Sequence, residues 1–279
     1  MQRDEFEEIQ KQGFSQPSWA ENMGVDQYGL YADLLFKGVT QRFRWIQPGS
    51  FMMGSPDDEP ERRENERQHE VVLTESYWLA DTACPQALWQ AVTGKNPSHF
   101  KGDERPVEKV RWEDVHKFVE QLNAAIPGLE LVLPSETQWE YACRAGTTSP
   151  FSFGANITPE KVNYNGNYPY AKGEKGLYRQ ETVEVKELPC NEWGLYQMHG
   201  NVWEWCQDWF GDYPSGSVID PKGAAYGHVR VCRGGSWFNH GRYCRSAARF
   251  RFEPSRFEPG IRLNWLGFRL ARGRTGKSS

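Results

Sequence analysis

The sequence predicts an α+β fold built as a single irregular mixed domain, and three observations carry that prediction. A length of 279 residues with 38% hydrophobic and 14% aromatic content supplies the apolar material for one substantial core. Three segments between residues 85 and 142 carry helical signals, set among short alternating runs. Beyond Gly146 the periodicity fades into loops rich in Gly, Asn, Tyr and Pro. A chain so poor in regular structure needs dense aromatic packing or bound ions to hold its loops in place.

Residues 1–39 mix charge with isolated aromatics (Phe6, Trp19, Tyr28, Tyr31) and read as an N-terminal extension that packs on the domain through those rings. The character changes at Thr40. From there Phe43, Trp45 and Ile46 lead through Pro48 and Gly49 into Phe51, Met52, Met53 and Gly54, a strand-turn-strand pattern. The core domain is therefore placed at 40–272, with 273–279 as a tail. Asp57 to Glu70 is charge-dense and reads as a solvated loop. A helix from Pro85 to Val92 stops at Gly94, and Trp112 to Ala125 sets Val115, Phe118, Val119 and Leu122 on one face at helical spacing. A third helix starts at Ser135, whose hydroxyl caps free backbone N–H groups while Gln138 reaches back, and continues through Trp139, Tyr141 and Ala142.

The net charge of −4 gives no global reason for nucleic acid or an anionic membrane, but it is unevenly spread. Between Arg230 and Arg272 there are ten Arg, no Lys and two Glu, a local +8 that leaves −12 for the rest. Met1 to Phe14 lacks an apolar stretch, and no run of about eighteen apolar residues occurs, so neither a signal peptide nor a membrane span is expected. A cytoplasmic location follows by default. The six cysteines (Cys84, Cys143, Cys190, Cys206, Cys232, Cys244) show no zinc spacing and read as reduced, buried thiols.

A series of separated motifs then runs along the chain: Phe51-Met52-Met53-Gly54-Ser55; Leu133 to Arg144, reading LPSETQWEYACR; Trp193-Gly194-Leu195-Tyr196; Gly200-Asn201-Val202-Trp203-Glu204-Trp205; Arg233-Gly234-Gly235-Ser236-Trp237; and Leu266-Gly267-Phe268-Arg269. In this order, over roughly Thr40 to Arg272, they resemble the formylglycine-generating enzymes and their sulfatase-modifying-factor relatives. The resemblance implies a mixed domain with a C-type-lectin-like core. It does not by itself imply catalysis, because the fold serves copper-dependent oxidases, iron-dependent sulfur-transfer enzymes and proteins that only bind.

The resemblance breaks where its chemistry lies. The oxidases hold copper with two cysteines, since paired thiolates suit Cu(I). Here Asn239 stands in the first cysteine's place, and matching Arg245 to Arg249 with the family's Arg-Cys-Ala-Ala-Arg leaves Cys244 off the second. No catalytic residue is assigned and no copper is expected. The sulfur-transfer branch takes iron through a His-x-x-x-His-x-Glu motif that is missing from this chain, so iron is not expected either. His240 and Cys244 suggest a base and a nucleophile, but no third orienting group accompanies them, and a buried thiol beside a surface histidine is the plainer reading.

The resemblance also implies a structural calcium ion. Its ligands would be the Gln197 side chain, the Gly200 and Val202 carbonyls and the Glu204 carboxylate, hard oxygens of the kind Ca²⁺ takes. The alternative is that Glu204 only caps a loop through hydrogen bonds. A second family calcium site would use Asn163 and the Tyr164 carbonyl, but Lys175 stands where an acid is needed, so no metal is expected there.

Between the last two motifs, arginines (Arg242, Arg245, Arg249, Arg251, Arg256, Arg262) interleave with Phe238, Tyr243, Phe250, Phe252 and Phe257. Arg and aromatic side chains dominate binding hot spots, so Phe238, His240, Arg242, Tyr243, Phe250, Phe252 and Phe257 are the expected ligand-binding surface. The segment resembles the variable region of proteins diversified by retroelements on this same fold, and other non-catalytic relatives act as immunity proteins. A non-catalytic domain that binds a protein partner is the reading these residues give. Nucleic acid is a lesser possibility, no membrane is expected, and a metal-dependent oxidase or oxygenase of the same superfamily is the alternative. The competing packing account puts the aromatics in the core and pairs the arginines internally, for instance Arg251 or Arg256 with Glu253 or Glu258.

Overall fold

Helix α1 (Gln86–Thr93) stops at Gly94, and α2 (Trp112–Ala125) buries Val115, Phe118, Val119 and Leu122, the face its spacing predicts. The first turn of α2 carries Glu113 and Asp114, which suit the positive end of the helix dipole, and Asp114 accepts the Arg111 N–H. Helix α3 (Glu136–Arg144) starts from the capping box of Ser135 and Gln138, bonded at 3.1 and 2.9 Å. Eight of its nine residues are buried, so Glu136, Glu140 and Arg144 must find partners inside the protein. The computed structural model describes residues 15–253 and 263–273.

Three sheets are present among the described residues. The largest runs β1 (Asn22–Asp26), β2 (Gly29–Phe36), β3 (Val39–Ile46), β6 (Tyr77–Ala80), β13 (Ala271–Arg272) and β7 (Leu131–Val132), all antiparallel. The described part of the expected N-terminal extension thus adds two strands to this sheet, and Trp19 is buried against Phe43 and Trp78. A second sheet pairs β4 (Gly49–Met53), β5 (His69–Leu73) and β9 (Val218–Ile219). The third, which carries the site, has the order β11 (Arg249–Phe252), β10 (Arg230–Arg233), β8 (Trp203–Trp209), β12 (Leu266–Phe268). Between α3 and β8 the chain is loop throughout, as the loss of periodicity beyond Gly146 predicts.

Aromatic contacts tie these pieces together. Trp89 of α1 stacks on Phe118 of α2 with centroids 5.0 Å apart, and both meet Phe268 of β12 edge-on. Each such ring pair adds about 0.5–1.5 kcal/mol beyond its burial. All six cysteines are free and five are buried; burial pushes the Cys143 thiol up to about 12, so it stays protonated and inert. Among the described residues no helix is long and apolar enough to cross a membrane.

The charged stretch from Asp57 to Glu70 is largely exposed, as a solvated loop should be, but two of its carboxylates are not. Glu59 and Glu66 are buried and hold the equally buried Arg245 at 2.5 and 2.8 Å. A run of charge is solvated only when its partners are not elsewhere in the sequence, and here the partner lies some 180 residues away.

Candidate functional site

The Gly234-Gly235 turn after β10 starts the site. Gly235 has φ +74°, and a Cβ there would meet Cys244 Sγ at 2.7 Å, so the turn closes tightly on the 3₁₀ turn Gly241–Cys244. The loop bearing Tyr168 is fastened to the same place: Asn165 N–H donates to Asn239 O and Gly241 N–H to Tyr168 O, both at 2.9 Å.

These constraints set out a continuous file of half-exposed rings. Phe238 touches Trp237 at 5.4 Å and Trp265 at 5.7 Å between centroids, and Trp265 meets Phe252 at 5.8 Å and Phe250 at 6.3 Å. Phe250 and Phe252 rest in turn on Trp203 and Trp205 of β8. Trp237 extends the file to Phe100 and Tyr178. Beside it, Tyr168, 53% exposed, stacks on His240 at 4.1 Å, and His240 meets Tyr243 edge-on. Tyr243 lies between the guanidinium groups of Arg242 and Arg63, 4.9 and 4.8 Å from its ring.

The structure therefore gathers Phe238, His240, Arg242, Tyr243, Phe250 and Phe252 on one face; Phe257 lies outside the described residues. All six are partly buried, so neither a fully buried nor a fully exposed set describes them. Tyr168, Tyr178, Phe100 and Trp265 belong to the same face. Tyr168, Tyr178 and Phe100 come from distant loops, and Trp237 reads in the sequence as scaffold alone.

The arginines need a correction. Arg233, Arg245, Arg249 and Arg269 are buried, and their partners are Glu136 and Glu140, Glu59 and Glu66, Glu136, and Glu204 respectively. Arg251 is exposed beside the Phe210 ring. Internal pairing is therefore real for these four arginines, and it reaches across the chain to the acidic half; Arg256 and Glu258 lie outside the described residues. The surface is consequently aromatic first and basic second.

The calcium ligand set also needs correction. Glu204 lies in strand β8, paired with Arg233 and Gly267, and both its oxygens are taken. Arg269 donates to them from Nε and Nη2 at 2.7 and 2.8 Å, and Trp139 Nε1 adds a third bond at 2.7 Å. Gln197 points its amide oxygen at the Asn201 amide and donates to Glu184 O. Of the expected set Gln197, Gly200, Val202 and Glu204, the two side-chain ligands are committed to different partners, and the guanidinium already neutralises the Glu204 carboxylate, so the set does not fit a calcium ion. Lys175 is exposed and does not stand in for an ion at Asn163.

No pair of thiolates exists for copper. Asn239 Oδ1 accepts Trp203 Nε1 at 2.8 Å and Ser236 Oγ at 2.6 Å, while Cys244 is fully buried with its thiol pushed up by burial. Cys244 and His240 do not act together, because His240 sits outside on Tyr168. The histidine near Cys244 is His199, whose Nδ1 donates to Cys244 O at 2.7 Å and whose Nε2 accepts Ser152.

Burial pushes His199 down to about 4 from the ordinary 6.5. Between those values the unfolded chain binds a proton that the folded chain does not. This contribution is complete above pH 6.5 and is lost as pH falls through 4. The stability difference between the wild type and His199→Gln should shrink on acidification by about 1.4 kcal/mol per pH unit in that window. Denaturant titrations at pH 4.5, 5.5 and 7 measure it, and a difference that does not change with pH contradicts the buried, neutral imidazole.

The family described as sulfatase-modifying factor enzyme 1-like domain matches residues 37–274. The chain is 33% identical over 213 residues to the formylglycine-generating enzyme of Mus musculus, covering 73% of this chain and 53% of the mouse protein. It thus spans about half the length of that relative. Among solved structures it is similar to Treponema denticola variable protein 1, with a TM-score of 0.71 and 29% identity over 87% of this chain and 98% of that one. PvdO from Pseudomonas aeruginosa shares the fold, with a TM-score of 0.69 and 24% identity over 93% and 99% of the two chains.

Proposed function

Starting from the fact that the chain belongs to the sulfatase-modifying factor enzyme 1-like family, we propose that it is a non-catalytic member that binds a protein partner through its aromatic face. The observation that carries this reading is the file of half-exposed rings from Tyr178 and Trp237 to Phe252, with Tyr168 and His240 beside it. Rings already held against one another lose little conformational freedom on binding, and a few such anchors supply most of an interface's energy. The likeness to a variable protein whose matched length is nearly complete supports a binding role on this fold.

Charge favours protein over nucleic acid. Arg245 and Arg249 spend their guanidinium groups on buried glutamates, which among the described residues leaves Arg63, Arg242 and Arg251 near the rings, a sparse set for a phosphate backbone. Binding should therefore weaken by less than threefold, by order of magnitude, between 50 and 200 mM salt, whereas a nucleic-acid ligand would lose orders of magnitude.

The non-catalytic half of the reading is tested with copper and a peptide containing Cys-x-Pro-x-Arg. No aldehyde product is expected, because Asn239 offers a carboxamide and Cys244 a buried neutral thiol. Turnover to the aldehyde at an enzyme-like rate would overturn it.

A further inference from the structure

Away from the aromatic face, a cavity of about 300 Å³ opens where the N-terminus of α3 meets the end of β8 and the loops after it. Its floor is buried Glu136, Asp208 and Arg249, and its rim is exposed Asp212, Pro214 and Lys222. That volume is at the small end of ligand pockets.

The two carboxylates on the floor are in opposite situations. Glu136 is saturated: Arg249 grips it with Nε and Nη2 at 2.6 and 2.8 Å, Tyr213 donates its hydroxyl at 3.0 Å, and Arg233 Nε lies 3.2 Å away. Asp208 is 4% exposed and accepts the Glu136 N–H on Oδ2 at 2.8 Å, and among the described residues no Lys or Arg forms an ion pair with it. Burial, with the Glu136 charge adding to it, pushes Asp208 up to about 7. Arg249 and Arg230 act on Asp208 only from beyond ion-pair distance, so this buried carboxyl still has room for a close cation.

The walls supply an imidazole and apolar surface. His69 lines the cavity with its Nδ1 donating to Arg67 O at 3.0 Å, and Met53 and Pro214 give apolar contact. The loop at Gly223 (φ +71°) comes so close that a Cβ there would sit 2.7 Å from Asp208 Cβ and Oδ1, so the loop closes directly over the carboxyl.

We propose that this cavity is a second binding site, for a small organic cation carrying a primary ammonium group, with Asp208 as its counter-ion. The ammonium ion-pairs with Asp208 Oδ1, and the apolar body of the ligand lies against Met53 and Pro214. This site is independent of the partner-binding face.

Calorimetric titration of the full chain at pH 8 with benzylammonium, and with benzyl alcohol as the uncharged control, tests the proposal. Benzylammonium should bind at least tenfold more tightly than the alcohol. Asp208→Asn, which keeps an acceptor for the Glu136 N–H, should remove that preference, while Phe238→Ala on the aromatic face should leave it unchanged. Equal affinity for the two probes, an undiminished preference in Asp208→Asn, or no binding of either probe would overturn the proposal. Should Asp208→Asn fail to fold, Lys222→Glu on the rim serves instead. It should strengthen benzylammonium binding about threefold and leave benzyl alcohol unmoved, and an unaltered ammonium affinity would reject the site.

Discussion

Replacing Arg269 with Met is expected to destabilise the domain by about 3–5 kcal/mol, the cost of leaving one charge of a buried pair alone. Arg269 is fully buried and donates to both oxygens of Glu204 and to the carbonyls of Ala80 and Tyr196. It therefore ties β8 to β6 and to the loop before β8 in one stroke. Met fills the stem's volume but leaves the Glu204 carboxylate with Trp139 alone. Adding Glu204→Gln should recover part of the loss, since the uncompensated charge is then gone. Denaturant unfolding of both variants measures the cycle. A single variant within 1 kcal/mol of wild type, by order of magnitude, would show that the pair does not hold the sheet. The same assignment predicts that a calcium chelator leaves the wild-type melting curve in place, because the Arg269 guanidinium already neutralises Glu204; a lowered midpoint would restore the ion to Glu204.

The Arg269–Glu204 pair belongs to a wider pattern. Part of the C-terminal excess of positive charge is spent in three buried groups, Arg233 and Arg249 with Glu136 and Glu140, Arg245 with Glu59 and Glu66, and Arg269 with Glu204. This explains how nearly every residue of α3 can be buried while three of its side chains carry charge.

Local signals made the helices legible. Ser135 with Gln138, the face of Val115 to Leu122 and the stop at Gly94 are all contained within a few residues of sequence. The ordered motifs made the family legible, although each motif alone is short. Long-range pairing was not legible: nothing near Glu59 or Glu66 names Arg245, and nothing near Glu204 names Arg269. The calcium expectation could not take that pairing into account, since a carboxylate in the right motif is only a ligand if no closer cation claims it. The aromatic face was half legible. Phe238 to Phe252 lie in one stretch, but Tyr168, Tyr178 and Phe100 arrive from loops without periodicity.

The second large effect is expected in binding. Tyr168 and Phe238 are the cleanest probes of the face, because Phe250 and Phe252 also support Trp203 and Trp205 of the core. Truncating a central aromatic anchor costs about 2 kcal/mol or more, roughly thirtyfold in Kd. Tyr168→Ala removes a ring that is more than half exposed and should leave stability within about 0.5 kcal/mol of wild type. Loss of binding can then be separated from loss of fold.

The affinity of a purified partner, first captured from cells that encode the chain, for wild type and for Tyr168→Ala/Phe238→Ala tests the central claim most directly. The double variant is expected to melt like wild type and to bind the partner at least thirtyfold more weakly, by the hot-spot magnitude. Equal affinity in the folded double variant would contradict the assignment of this face as the binding surface.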